Sequence, residues 1–157
     1  MEQTKKTVDL SNKLIALNND RAEWYAHAIK NITGISNMDI KSLFEELMEQ
    51  AQQFAKELHP FVVVNGKEPT TGTTAAGMFQ RLWQDVKSTL VPIEREELLA
   101  KCAGVELKAQ ELYKGAIDSA PSLSEKLLEY IQIQADTQNR SYEKILHFQK
   151  RQNVPSP

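Results

Sequence analysis

The sequence predicts an all-α chain folded as a four-helix bundle, with a short extra helix in the crossover between the second and third long helices. Three observations carry that expectation. Glycine and proline, six of each, fall mainly at segment ends: Gly34, Pro60, Gly66, Pro69, Gly72, Gly77, Pro92, Pro121 and the Pro155/Pro157 tail. Only Gly104 and Gly115 stand inside a segment, so the others act as punctuation. Between them run stretches rich in Ala, Leu, Glu, Gln and Lys, which lose little side-chain entropy in a helix, while short alternating β-branched runs are nearly absent. Four of these stretches are long and of similar length, spanning about 40 Å each at ~1.5 Å per residue, and helices so matched pack side by side.

The first helix is expected over about 4–32, with Leu10, Leu14, Leu17, Trp24 and Ala28 on one stripe and Gly34 as its end. The second starts after Ser36 or Asn37 as cap and carries Ile40, Phe44, Leu47, Ala51, Phe54, Leu58 and Phe61 at strict four-three spacing. Pro60 removes a backbone donor near its end, which leaves Phe61–Val64 open between a kinked last turn and an extended exit. Residues 65–74 have loop composition, and Thr73 or Thr74 caps the short helix of Met78, Leu82, Trp83, Val86 and Leu90, closed by Pro92. The third long helix, about 94–118, shows a wide stripe from Leu98 to Ile117 that includes Cys102, Val105, Ala109, Leu112, Tyr113 and Ala116. The last, about 122–150, presents Leu127, Leu128, Ile131, Ala135, Tyr142, Ile145, Leu146 and Phe148. The expected organisation is one domain over 1–150 and a flexible tail over 151–157.

Composition narrows the function. Nineteen basic and twenty-one acidic side chains leave a formal charge of −2, which offers no electropositive field for a phosphate backbone, so nucleic acid is not an expected partner. The N-terminal residues lack the apolar core of a signal peptide and no run approaches a membrane span, so neither export nor a membrane is expected. Cys102 is the one cysteine; it suits a reducing cytoplasm and excludes a disulfide framework or multi-cysteine metal site.

In a bundle, chemistry sits where ionisable groups project into the core. Glu106 falls in the series Leu99, Cys102, Glu106, Ala109, Tyr113, Ala116, which puts its carboxylate on an otherwise apolar or aromatic face. Glu23 lies beside Trp24 and four residues before His27, where Glu and His share a helix face. Gln134 and Gln138 line up with Leu127, Ile131 and Ile145, so a polar layer halfway along the bundle is expected. Inner glutamates on two helices are half of a carboxylate di-metal site for iron or manganese. The other half, Glu-x-x-His, is missing: Trp24, Lys56 and Lys144 stand three before the three histidines. The competing reading is a pair of glutamates hydrogen-bonded to Tyr, Gln or Arg partners across the core. Cys102 reads as a buried inert thiol, and Trp24, Tyr25 and Trp83 as core or dimer anchors.

Asn18-Asn19-Asp20-Arg21-Ala22-Glu23-Trp24-Tyr25 begins a pattern that continues through Leu43-Phe44, Gln53-Phe54-Ala55-Lys56-Glu57-Leu58, Gly66-Lys67-Glu68-Pro69, Gly72-Thr73-Thr74-Ala75-Ala76-Gly77, Trp83-Gln84-Asp85-Val86-Lys87 and Cys102/Glu106/Tyr113. Over about residues 10–148 the chain resembles the bacterial ferritin-like family catalogued as domain of unknown function 2383. The resemblance implies a ferritin-like bundle that self-associates as a homodimer or larger homo-oligomer, in a family loosely linked to stress responses. It matches the family's inner glutamates to Glu23 and Glu106. The sequence departs from the pattern at Ala103, at Ala51 and Phe54 where Glu-x-x-His would follow Phe44 and Leu47, and at Asn139 and Tyr142 on the last helix. Two functions follow. One is a non-catalytic bundle with a degenerate metal site, acting structurally or through partner contacts. The other is a carboxylate-bridged di-iron or di-manganese protein acting on oxygen or peroxide, with Glu23 and Glu106 helped by Gln50, Asp136, Gln138 or His27.

Overall fold

The computed structural model describes residues 2–72, 94–119 and 123–152, with side chains from Thr4 to Arg151 within them. Four long helices dominate: α1 (Glu2–Lys30), α2 (Met38–Val63), α3 (Arg95–Asp118) and α4 (Glu125–Gln152). A single 3-10 turn, Ile35–Asn37, precedes α2, and there is no strand among the described residues. No described helix is long and apolar enough to cross a membrane. The expected short helix with Met78 and Trp83 lies outside the described residues.

The helix ends follow from local chemistry. After Lys30 the chain tightens through Asn31 N–H to Ala28 O and Ile32 N–H to Ile29 O, then turns at Gly34, whose φ of 87° favours a residue without Cβ. Asn37 sits at the start of α2 as expected, yet its side chain donates back to Thr33 O at 2.9 Å and makes no cap bond. The open question at Pro60 resolves as helix: α2 continues to Val63. Gly66 N–H then bonds Val63 O and Lys67 N–H bonds Val62 O, a Schellman closure around Gly66 at φ 75°.

Cross-helix pairs fix the topology. Arg21 meets Gln50, while Thr4 and Thr7 share a cleft with Phe61 and Val64, so α1 and α2 are antiparallel. Asn18 meets Tyr113 and Tyr25 meets Cys102, so α1 is antiparallel to α3 as well. On α4, Lys144 pairs with Glu46 and Gln134 with Glu57, while Gln138 reaches Glu106. Hence α4 runs against both α2 and α3, and α2 and α3 are parallel. A parallel α2–α3 pair requires a connection that travels the whole bundle length, since Arg95 at the start of α3 bonds Asp39 at the start of α2. That connection begins back along α1: Thr70 N–H donates to Asn12, and Asn19 donates to Gly72 O.

The core follows the three-four stripes. Leu14, Leu17, Ile40, Phe44, Leu47, Leu58, Leu99, Val105, Leu127, Ile131 and Ile145 are buried, each contributing about 1.5–3 kcal/mol by leaving water. At the α1 C-terminal end, Trp24, Tyr25 and Phe44 form a tilted and edge-to-face cluster with ring centroids 5.2 to 5.6 Å apart. Leu146, expected on the inner stripe, is instead exposed, because it lies one residue past Ile145 and so about 100° round the helix.

Candidate functional site

Halfway along the bundle the apolar core gives way to a layer of polar side chains, with contributions from all four helices. Its centre is an ion pair between Arg21 of α1 and Glu106 of α3, both fully buried. The guanidinium grips the carboxylate with two parallel bonds, Nη2 to Oε1 at 2.7 Å and Nε to Oε2 at 3.1 Å. Its remaining edge donates from Nη1 to Asn18 Oδ1 and from Nη2 to Gln50 Oε1, each at 2.9 Å. Its flat face lies against Phe54, with Cζ 5.7 Å from the ring centroid.

Glu106 is equally occupied. Tyr25 donates its hydroxyl to Oε2 at 2.7 Å, and Gln138 Nε2 reaches Oε1 at 3.3 Å while also donating to the Glu106 carbonyl at 2.7 Å. With two donors on each oxygen, the roughly four lone-pair positions of a carboxylate are filled. Around this centre the bonding spreads to every helix. Gln50 donates to Ser141. Asn18 donates to the Tyr113 hydroxyl, which donates to Gln134, which in turn donates to Phe54 O and the Glu57 carboxylate.

Electrostatics lock the protonation states. Burial works against the Arg21 charge, but the negative field of Glu106, helped by Tyr25 and by the hydrogen bonds, outweighs it and holds the guanidinium above its ordinary value. Burial, and then the neighbouring Cys102 and Glu106, push the Tyr25 phenol well up. Burial followed by Glu106 does the same to the Cys102 thiol, whose sulfur lies 3.4 Å from the Tyr25 oxygen. Tyr113 is raised chiefly by burial. The layer therefore holds a fixed cation, neutral phenols and an undissociated thiol, and Cys102 is buried as its stripe suggested.

Glu106, Gln134 and Gln138 are buried where their stripes place them, whereas Glu23 does not project into the core. The Glu23 side chain is 61% exposed and lies 4.0 Å from His27 Nε2. The reason is helical phase. Glu23 stands two residues, roughly 200°, from Arg21, so when Arg21 points inward Glu23 points out. Arg21 was the missed residue, and the signal for it was present: Leu17 and Trp24 are seven apart, and Arg21 fills the stripe at four from one and three from the other. On α4 the inward pair is Gln138 and Ser141, one residue earlier than the Asn139 and Tyr142 suggested by resemblance; Asn139 is exposed and bonded to Gln110. Asp136 is exposed and His27 half-buried, while Gln50 is committed to Arg21 and Ser141.

The arrangement echoes a bundle-core di-metal site, in which two helices each supply a Glu and the other two supply Glu-x-x-His. The residues present do not fit such a group. Among the described residues no three of His, Cys, Asp and Glu come together, and the one inward carboxylate is saturated by its own protein partners. Arg21 places a positive charge in the layer where a di-metal bundle would hold its ions.

The topology, with α2 parallel to α3 across a long connection, is that of a ferritin-like four-helix bundle. The profile of the family described as "Domain of unknown function (DUF2383)" matches residues 6–119, and the chain belongs to that family. Among solved structures, it is similar to a ferritin-like, diiron-carboxylate protein from Bacillus anthracis str. Ames, with a TM-score of 0.75 and 17% identity over 95% of this chain and 99% of that one. It is also similar to a Mycobacterium smegmatis Dps1 mutant, with a TM-score of 0.79 and 19% identity over 94% and 97% of the two chains. At such identities the likeness is one of fold. Comparison with curated protein sequences gives no significant match.

Proposed function

We propose that this protein is a non-catalytic, cytoplasmic ferritin-like bundle whose metal site is degenerate, and that it acts in a stress response as a homo-oligomer through its surface. The observation that carries the reading is the bidentate Arg21–Glu106 pair, since an internal guanidinium satisfies the carboxylate that a metal would need. A buried pair of this kind is a weak source of net stability, but it imposes a geometry on the helices that contribute to it.

The alternative, a di-iron or di-manganese protein acting on oxygen or peroxide, draws on Glu23 and Glu106, which lie on opposite sides of the helix wall. Metal content by plasma mass spectrometry on untagged protein, together with an anaerobic ferrous titration and light scattering, tests the proposal. We expect substoichiometric metal, no saturable ferrous binding and a mass at least twice that of the 17.8 kDa chain. Stoichiometric iron or manganese, or a monomer, contradicts it.

A further inference from the structure

We propose that the cleft where the start of α1, the end of α2 and the start of α4 meet binds a small zwitterion, an ω-amino carboxylate, with its ammonium on Glu57 and its carboxylate on Lys126. The inference goes beyond the function proposed above and does not depend on it. The cleft has a volume of about 530 Å³, and its lining includes Glu57, Pro60, Phe61 and Val64 of α2 and Lys126 and Tyr130 of α4. These groups are open to a ligand: Glu57, Phe61 and Tyr130 are half-buried, and Pro60, Val64 and Lys126 are exposed. Glu57 contrasts with the saturated Glu106. It accepts a bond from Gln134 Nε2 at 3.1 Å, which occupies one of the roughly four lone-pair positions of a carboxylate. Among the described residues neither Glu57 nor Lys126 has an ion-pair partner, and the two do not reach each other. Opposite charges that line one cleft without neutralising each other are complementary to a ligand that carries both.

The spacing sets the length of that ligand. Gln134, which bonds Glu57, and Lys126 are eight residues apart on α4, about 12 Å along the axis at ~1.5 Å per residue. Glu57 therefore marks the inner end of the cleft and Lys126 the outer. Between these ends the rings of Phe61 and Tyr130 stand edge to face with centroids 5.5 Å apart, and Pro60 and Val64 add apolar surface. Such walls suit a methylene chain, and aromatic faces beside a carboxylate favour an ammonium. A ligand with an ammonium alone gains nothing from Lys126, and one with a carboxylate alone sets its tail against the Glu57 charge. An α-amino acid, with both charges on one carbon, cannot span the two.

The test is isothermal titration calorimetry of the full chain at low ionic strength with 8-aminooctanoate. Beside it stand its methyl ester, which keeps only the ammonium, its N-acetyl derivative, which keeps only the carboxylate, and the shorter 4-aminobutanoate. We expect saturable binding of 8-aminooctanoate, with each of the other three weaker by about threefold or more at these partly exposed charges. Glu57→Gln, which leaves an acceptor for Gln134, should remove the advantage over the N-acetyl derivative. Lys126→Gln, on an exposed side chain, should remove the advantage over the ester, and it decides if the Glu57 variant fails to fold. Absence of saturable binding, capped compounds that bind as well as the zwitterion, or a folded variant that binds 8-aminooctanoate as wild type overturns the proposal.

Discussion

Two bidentate arginine–carboxylate pairs stand among the described residues in very different surroundings. Arg95 holds Asp39 at the end of the bundle with a 2.7 Å bond from Nη1, and the two side chains remain 25% and 48% exposed. Arg21 holds Glu106 with a 2.7 Å bond as well, but neither side chain touches water. At the surface, water and salt screen the charges and either partner can be lost cheaply. In the core each partner has surrendered its hydration, so the pair survives only because Asn18, Gln50, Tyr25 and Gln138 supply the bonds that water would have made. The same two functional groups are a minor clasp in one place and, in the other, the fixed point of a four-helix layer.

That contrast can be broken in graded steps. Removing one member of the buried pair, as in Arg21→Met, should cost about 3–5 kcal/mol in urea unfolding because Glu106 is left buried and unpaired. A cost near zero would show that water reaches the layer. Tyr25→Phe deletes one bond to a charged acceptor and should cost about 1.5–3 kcal/mol, read in the same experiment.

Raising the pH offers a subtler probe. The folded-state values of Cys102 and Tyr25 are raised, so their contribution is whole below the unfolded-chain values, about 8.5 for a thiol and 10 for a phenol. It is lost as pH climbs past those values toward the raised ones, because the unfolded chain releases protons that the folded chain retains. Stability should therefore fall from about pH 8.5 upward, and Cys102→Ala should remove the first part of the decline.

The smallest effect belongs to the surface pair. The Arg95 hydrogen bond holds the Asp39 carboxyl below its ordinary value, so that contribution is present at neutral pH and is lost as pH falls through the acid range. Asp39→Asn should cost under about 1 kcal/mol and less still in high salt. A loss as large as that of Arg21→Met would erase the distinction between the two pairs.

Much of the fold was legible because burial in this bundle is written in period. The α2 stripe from Ile40 to Leu58 is buried as its spacing required, and Glu106 follows from the same logic on α3. What period alone could not show was that a long, permanently charged side chain occupies a core position. Arg21 completes the α1 stripe although arginine is a side chain that ordinarily faces water, whereas Glu23, beside the buried Trp24, has an outward phase. The partner that makes Arg21 tolerable lies 85 residues away on α3. Such pairing has no local trace in the chain. On α4 the period itself places Gln138 in line with Ile131 and Ile145, and Asn139 and Tyr142, matched through the family pattern, stand one residue out of that phase.

The central claim is that Arg21 and Glu106 exist for each other, and a double-mutant cycle tests it most directly. Arg21→Met, Glu106→Leu and the combined variant would be compared by urea unfolding. The account predicts that each single change costs about 3–5 kcal/mol while the double variant loses clearly less than their sum, since no buried charge is left behind and the remaining cost is that of the Asn18, Gln50, Tyr25 and Gln138 groups deprived of their partners. Losses that simply add would contradict it.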